Sequence, residues 1–115
     1  MPTMTLAVNA YQASSAHRDP RDQEAEVFQW ANGSLRAARD ANPIARVRAV
    51  ADNRRLWTAV IDLVRNPSNV LPDELRASIA SVGIAVQREM DRDAPDFDFL
   101  ININDSFALG LLGKA

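Results

Sequence analysis

The sequence predicts an all-α protein, a small up-and-down bundle of four helices preceded by a short or loose N-terminal segment. Three observations predict it. The four glycines and six prolines mostly sit where one helix would stop and the next begin. Apolar residues recur every three or four positions through the long stretches between them, the period of a helix with one buried face. Strands, by contrast, have little support anywhere in the chain.

Taken in order, residues 1–18 form a weakly patterned lead containing Ser14, Ser15 and the lone His17, with Leu6 to Ala13 as a short helix at most. Chain ends of this kind are often loose. Residues 19–115 are expected to form one helical bundle domain. Asp19-Pro20 opens it, because Asp can accept backbone N–H groups at an N-cap and Pro at the first helical position gives up no needed donor. The first helix should run from Pro20 to about Asp40, with Phe28, Ala31, Leu35 and Ala38 inward and Val27 and Trp30 flanking. Gly33 interrupts it and is expected to mark the close approach of another backbone.

Asn42-Pro43 repeats the cap, and a second helix should extend to about Val64. Its predicted stripe is Val47, Val50, Ala51, Trp57, Ile61 and Val64, widened by Leu56, Val60 and Leu63, which is more apolar surface than one partner helix requires. Arg65-Asn66-Pro67-Ser68-Asn69 breaks the pattern. Pro72 restarts it to about Met90, with Leu75, Ile79, Val82, Val86 and Met90 inward. After a polar stop at Asp91 to Pro95, the residues Phe97, Leu100, Ile101, Phe107, Leu111 and Leu112 predict the fourth helix.

Composition narrows the function classes. A chain of 115 residues, 47% hydrophobic and 24% charged, has ordinary globular proportions and room for one core of three or four helices. A net charge of -2 gives no overall attraction for nucleic acid or acidic membranes. The absence of cysteine excludes disulfides, thiolate nucleophiles and cysteine-ligated metals. No secretion signal or run of about 18 apolar residues is visible, so a cytoplasmic protein without a membrane span is expected.

Catalytic equipment is not evident. A single histidine offers no metal pair and no base for a serine triad. Asp91, Asp93, Asp96 and Asp98 alternate like calcium ligands, yet no glycine stands at the turn position and no glutamate closes a twelve-residue loop. They read better as a solvated junction whose negative charge favours the start of the fourth helix. Arg46, Arg48, Arg54, Arg55 and Arg65 crowd one helix, but Asp52 and Asp62 interrupt them, so direct nucleic-acid binding is not expected. Neither an enzyme nor a cofactor is expected, and no metal site.

The most informative run is Asn53-Arg54-Arg55-Leu56-Trp57. On a helix Asn53 and Trp57 share a face, and the two arginines splay to the edges of the apolar stripe. A packed reading makes Trp57 a core aromatic whose indole N–H finds one partner, with Asn53 bonding a neighbouring loop and the arginines lying over apolar surface. A functional reading makes Arg54 or Arg55 an anchor for a partner segment, since Arg and Trp are frequent interface anchors. Further along come Leu71-Pro72-Asp73-Glu74-Leu75-Arg76, then Leu100-Ile101-Asn102-Ile103-Asn104 with Gly110-Leu111 behind it.

This ordered set, running from about Val8 to Leu112, resembles FlaF, the small flagellar biosynthesis regulators of alphaproteobacteria. Gly33 and the acidic 91–98 junction depart from the resemblance. It implies a cytosolic flagellin-binding secretion chaperone that promotes flagellin synthesis and export, in opposition to the regulator FlbT. A terminal amphipathic helix of flagellin would then lie in an apolar groove on the bundle. The alternative it implies is a post-transcriptional regulator of flagellin mRNA translation, alone or with FlbT. A third class is a structural adaptor that dimerises through the same faces. The positions that match, and so the implied partner-binding set, are Asn53, Arg54, Arg55, Leu56, Trp57, Leu71, Pro72, Leu75, Ile101, Ile103 and Asn104.

Overall fold

Asn42 starts a helix as its place before Pro43 predicts. Its backbone is extended and its Oδ1 accepts the Ala45 N–H at 2.9 Å, which satisfies one of the donors that a helix start leaves open. Asp96 does the same at the last helix, where its Oδ1 accepts the Phe99 N–H at 3.1 Å. The structure, a computed structural model, describes residues 20–111. Four helices run through them: α1 (Pro20–Ala38), α2 (Pro43–Arg65), α3 (Asp73–Met90) and α4 (Phe97–Leu111). The expected Leu6 to Ala13 helix, the Asp19 cap and Leu112 lie outside the described residues.

The fold is all-α, and the helices alternate in direction. Arg39 pairs with Asp98 near one end of α1 and α4, Asn32 reaches Ile101 and Asp105 in the middle, and Phe28 meets Phe107 towards the other end. α1 and α4 are therefore antiparallel. In the same way Asn53 meets Met90, and Arg76 meets Val64, across α2 and α3. α1 packs chiefly on α4, α2 on α3, and α1 on α2, whereas α3 and α4 do not pack closely along their length. Three sides of the bundle are closed by helix packing and the α3–α4 side is left as a seam.

Most of the predicted inner positions are in the core. Phe28, Ala31, Leu35 and Ala38 are buried on α1, as are Leu56, Trp57, Ile61 and Val64 on α2, Val86 and Met90 on α3, and Phe97, Leu100 and Ile101 on α4. α2 differs from expectation near both of its ends. Val47 is 68% exposed and Leu63 is 62% exposed, while Ala49 and Asn53 are buried. The inward line of α2 runs through 49, 53, 56 and 57, so a polar residue occupies a place that apolar patterning would not give it.

Gly33 is also corrected. It faces solvent, and a Cβ built on it meets nothing within 4 Å, so no backbone approaches it. It opposes Phe28, Ala31 and Leu35 on the helix. Gly33→Ala is accordingly expected to stabilise the protein by about 0.5–1 kcal/mol through backbone entropy alone. Chemical denaturation of the two proteins side by side measures the shift in midpoint.

Candidate partner-binding site

Signature residues build the centre of the bundle. Trp57 is fully buried and its indole N–H donates to Asn104 Oδ1 at 2.9 Å. Asn104 Nδ2 donates in turn to Asn53 Oδ1 at 2.7 Å, and Asn53 Nδ2 reaches the sulfur of Met90 at 3.4 Å. This chain of bonds ties α2 to both α3 and α4. Phe28 and Phe107 pack on the indole with ring centroids 5.9 and 5.0 Å away, both edge-to-face. A buried polar network in which each member finds a partner fixes one register, because any slip would strand amides away from water.

Two arginines hold helix ends. Arg54 donates to Asp91 Oδ1 at 2.8 Å and to the Met90 carbonyl at 3.3 Å, closing the C-terminus of α3. Arg76 donates through Nε to the Val64 carbonyl at 2.7 Å and through Nη2 to the Asn66 carbonyl at 2.9 Å, closing α2. Both put positive charge where the helix dipole and the orphan carbonyls favour it. Arg55 is exposed and its guanidinium turns back to Asp52 of its own helix at 2.8 Å.

The seam between α3 and α4 is an apolar groove of about 390 Å³, lined by Leu71, Leu75, Ser78, Ile79 and Val82 on one side and Ser106, Phe107 and Gly110 on the other. Among the described residues no charged side chain lines it. Residues 75, 78, 79 and 82 follow the spacing of one helix face, so the strip from the start of α3 to Val82 is about 14 Å long. Leu75 is 46% exposed within it. A larger hollow of about 570 Å³ lies at the other end, between the start of α2 and the α3–α4 loop. Its guanidiniums are already engaged: Arg54 with Asp91, Arg92 with Glu89, and Arg46 over the Phe97 ring at 4.9 Å.

Of the implied partner-binding residues, Asn53, Leu56, Trp57, Ile101 and Asn104 are buried, and Ile103 is half-buried. Leu71 and Leu75 line the groove, with exposed Pro72 between them. Arg54 stands at the C-terminus of α3, apart from the groove. The acidic junction divides into structural parts: Asp91 takes Arg54, Asp98 takes Arg39 and Asp96 caps α4. Among the described residues no group of three or more His, Cys, Asp or Glu is placed to hold a metal ion. Nor is any described helix long and apolar enough to cross a membrane.

The family model of the flagellar protein FlaF matches residues 7–111. This chain belongs to the FlaF family. No curated protein and no solved structure matches it. The FlaF match takes in all four helices, every residue of the polar network and both walls of the groove, and it begins before α1.

Sequence reasoning missed two features of this FlaF protein. Asn32 is buried on the inner face of α1, where its Nδ2 donates to the Ile101 carbonyl at 3.0 Å and to Asp105 Oδ1 at 2.7 Å. Its Oδ1 has no partner among the described residues. Its place one residue after Ala31 on the apolar stripe was the available signal. Gly83 is the other: buried, it lets α3 lie against Ile61 and Trp57. A glycine on an inward stripe between Val82 and Val86 signals close helix approach.

Proposed function

We propose that this protein is a cytoplasmic flagellin-binding secretion chaperone that promotes flagellin synthesis and export by holding an amphipathic terminal helix of flagellin in the α3–α4 groove. One observation carries the reading. The groove is an apolar trough, uncharged among the described residues, between two helices that do not close on each other, and its walls repeat at helical spacing. A partner helix with apolar side chains at i, i+3, i+4 and i+7 completes the fourth side of the bundle. Such a complex works by covering surface, without cofactor, nucleotide or bond chemistry. It shields a segment that would otherwise self-associate.

Roles within the signature divide accordingly. Leu71, Pro72 and Leu75 offer accessible contact, and half-buried Ile103 supports α4 behind it. Asn53, Leu56, Trp57, Ile101 and Asn104 set the angle between the walls from beneath. Arg54 fixes the end of α3, and the exposed Arg55, paired with Asp52 of its own helix, would have to exchange that carboxylate for an acidic or amide-rich residue of the partner.

The test mixes purified protein with monomeric flagellin and follows co-elution and filament growth. Leu75→Asp puts a charge where the partner's apolar face must lie, and it is expected to weaken binding about tenfold or more without loss of fold. Arg55→Ala binding as tightly as the parent removes the arginine role. A parent protein that does not bind flagellin at all removes the chaperone reading. The alternative, control of flagellin mRNA translation alone or with FlbT, requires strongly salt-dependent RNA affinity. Arg54, Arg55 and Arg92 already have carboxylate partners, which leaves less free positive charge for that role.

A further inference from the structure

We propose that residues 4–13 of the same chain dock in the α3–α4 groove when no partner is bound. Three observations point there. The first is position. Phe28 stacks on Phe107, a groove residue, with centroids 5.8 Å apart. Pro20 lies eight residues before Phe28, about 12 Å along α1, so the chain enters the bundle at the end where Phe107 and Gly110 form the groove wall. The six residues 14–19 can span roughly 20 Å, enough to turn back from Pro20 onto the seam.

The second observation is chemical match. Residues 1–17 contain no Asp, Glu, Lys or Arg, the longest such run in a chain that is 24% charged. The groove lining is equally free of charge among the described residues. Within the run, Met4, Ala7, Val8 and Tyr11 stand at i, i+3, i+4 and i+7, one face of a helix, which is the pattern the groove walls take. The third is the extent of the family match, which reaches back to residue 7, thirteen residues before α1. The segment thus belongs to the pattern that defines the family.

Tethering makes this occupant effective. A short linker gives an intramolecular ligand an effective concentration in the millimolar range, so even weak docking fills the groove. On the reading proposed above, the segment then competes with the partner helix, and the apparent affinity for the partner falls by the fraction of chains left open. Docking itself does not depend on that reading.

The chain has no cysteine, so two introduced thiols are the only ones present. In the full chain, Asn9→Cys with Ser78→Cys places one thiol beside the apolar face of the segment and one in the groove. Asn9→Cys with Arg48→Cys places the second on an exposed site of α2 instead. Under mild oxidation the groove pair is expected to form its intramolecular disulfide about tenfold faster or more, since bridging needs Cα atoms within roughly 7 Å. Adding Val8→Asp and Tyr11→Asp, which alter only the segment, should abolish that advantage. Equal rates for the two pairs, or an advantage that survives both aspartates, overturn the proposal. Flagellin enters in a separate arm: saturating flagellin should slow the groove crosslink. Flagellin that fails to bind sinks the chaperone reading while the disulfide rates still decide the docking of the segment.

Discussion

Trp57→Ala is expected to lower the stability of the protein by about 3–5 kcal/mol, the range for deleting a large buried aromatic. The side chain is fully buried between Phe28 and Phe107, and alanine leaves a cavity bounded by two rings that cannot both move in. It also takes away the donor to Asn104 Oδ1, adding the cost of a buried polar atom without its partner. Trp57→Phe separates the two contributions. It keeps an aromatic in the space but not the N–H, and should cost about 1–3 kcal/mol. Domains of this size hold about 5–15 kcal/mol in total, so the alanine variant should unfold at a much lower urea concentration with a similar slope. A loss below about 1 kcal/mol would show that Trp57 does not close the core.

Gly83→Ala is the second large effect, and its sign runs against helix propensity. Alanine in an ordinary helix interior is favoured over glycine by about 1 kcal/mol. At Gly83, however, a Cβ would stand 2.6 Å from Ile61 Cγ1 and 2.7 Å from its Cδ1. Isoleucine is stiff at χ1, and Trp57, one turn away on the same helix, stands 3.5 Å from the same Cβ, so α3 must move away from α2. A destabilisation of about 1–3 kcal/mol is expected. Ile61→Ala makes room, so the double variant should be more stable than the sum of the single losses predicts, which a double-mutant cycle measures. Gly33→Ala, the same chemical change on an open helix face, should move the other way. Two stabilising outcomes would mean that the α2–α3 contact is looser than described.

Much of the fold was legible in the sequence because its signals were local. Asn42-Pro43 marks a helix start by the bonding capacity of one side chain, and the stripe Phe28, Ala31, Leu35, Ala38 marks a buried face by spacing alone. The register of early α2 was less legible. Val47 and Asn53 compete for the inward line, and hydropathy favours valine, but Asn53 is held inside by Asn104, a residue 51 positions away. A bond of that separation has no local trace. Arg54 and Arg76 are a similar case: both read as surface charge, and only the fold shows each reaching a carbonyl at the end of the neighbouring helix. For the candidate site, Leu71, Pro72 and Leu75 could be singled out from the sequence. Their opposing wall, Phe107 and Gly110, depends on which pair of helices stays apart, and that is set by the packing of all four.

The reciprocal guanidinium caps carry a mechanical consequence. Because Arg54 fastens the far tip of α3 and Arg76 fastens the far tip of α2, this hairpin is pinned at both extremities and its two rods shift together. α4 is likewise tied to α1, through Asn32, Arg36 and Arg39, and its hold on the hairpin is concentrated in the Asn104 bridge and the aromatic cluster. A wider trough then requires the two helix pairs to part as units, rather than either flank to bend alone.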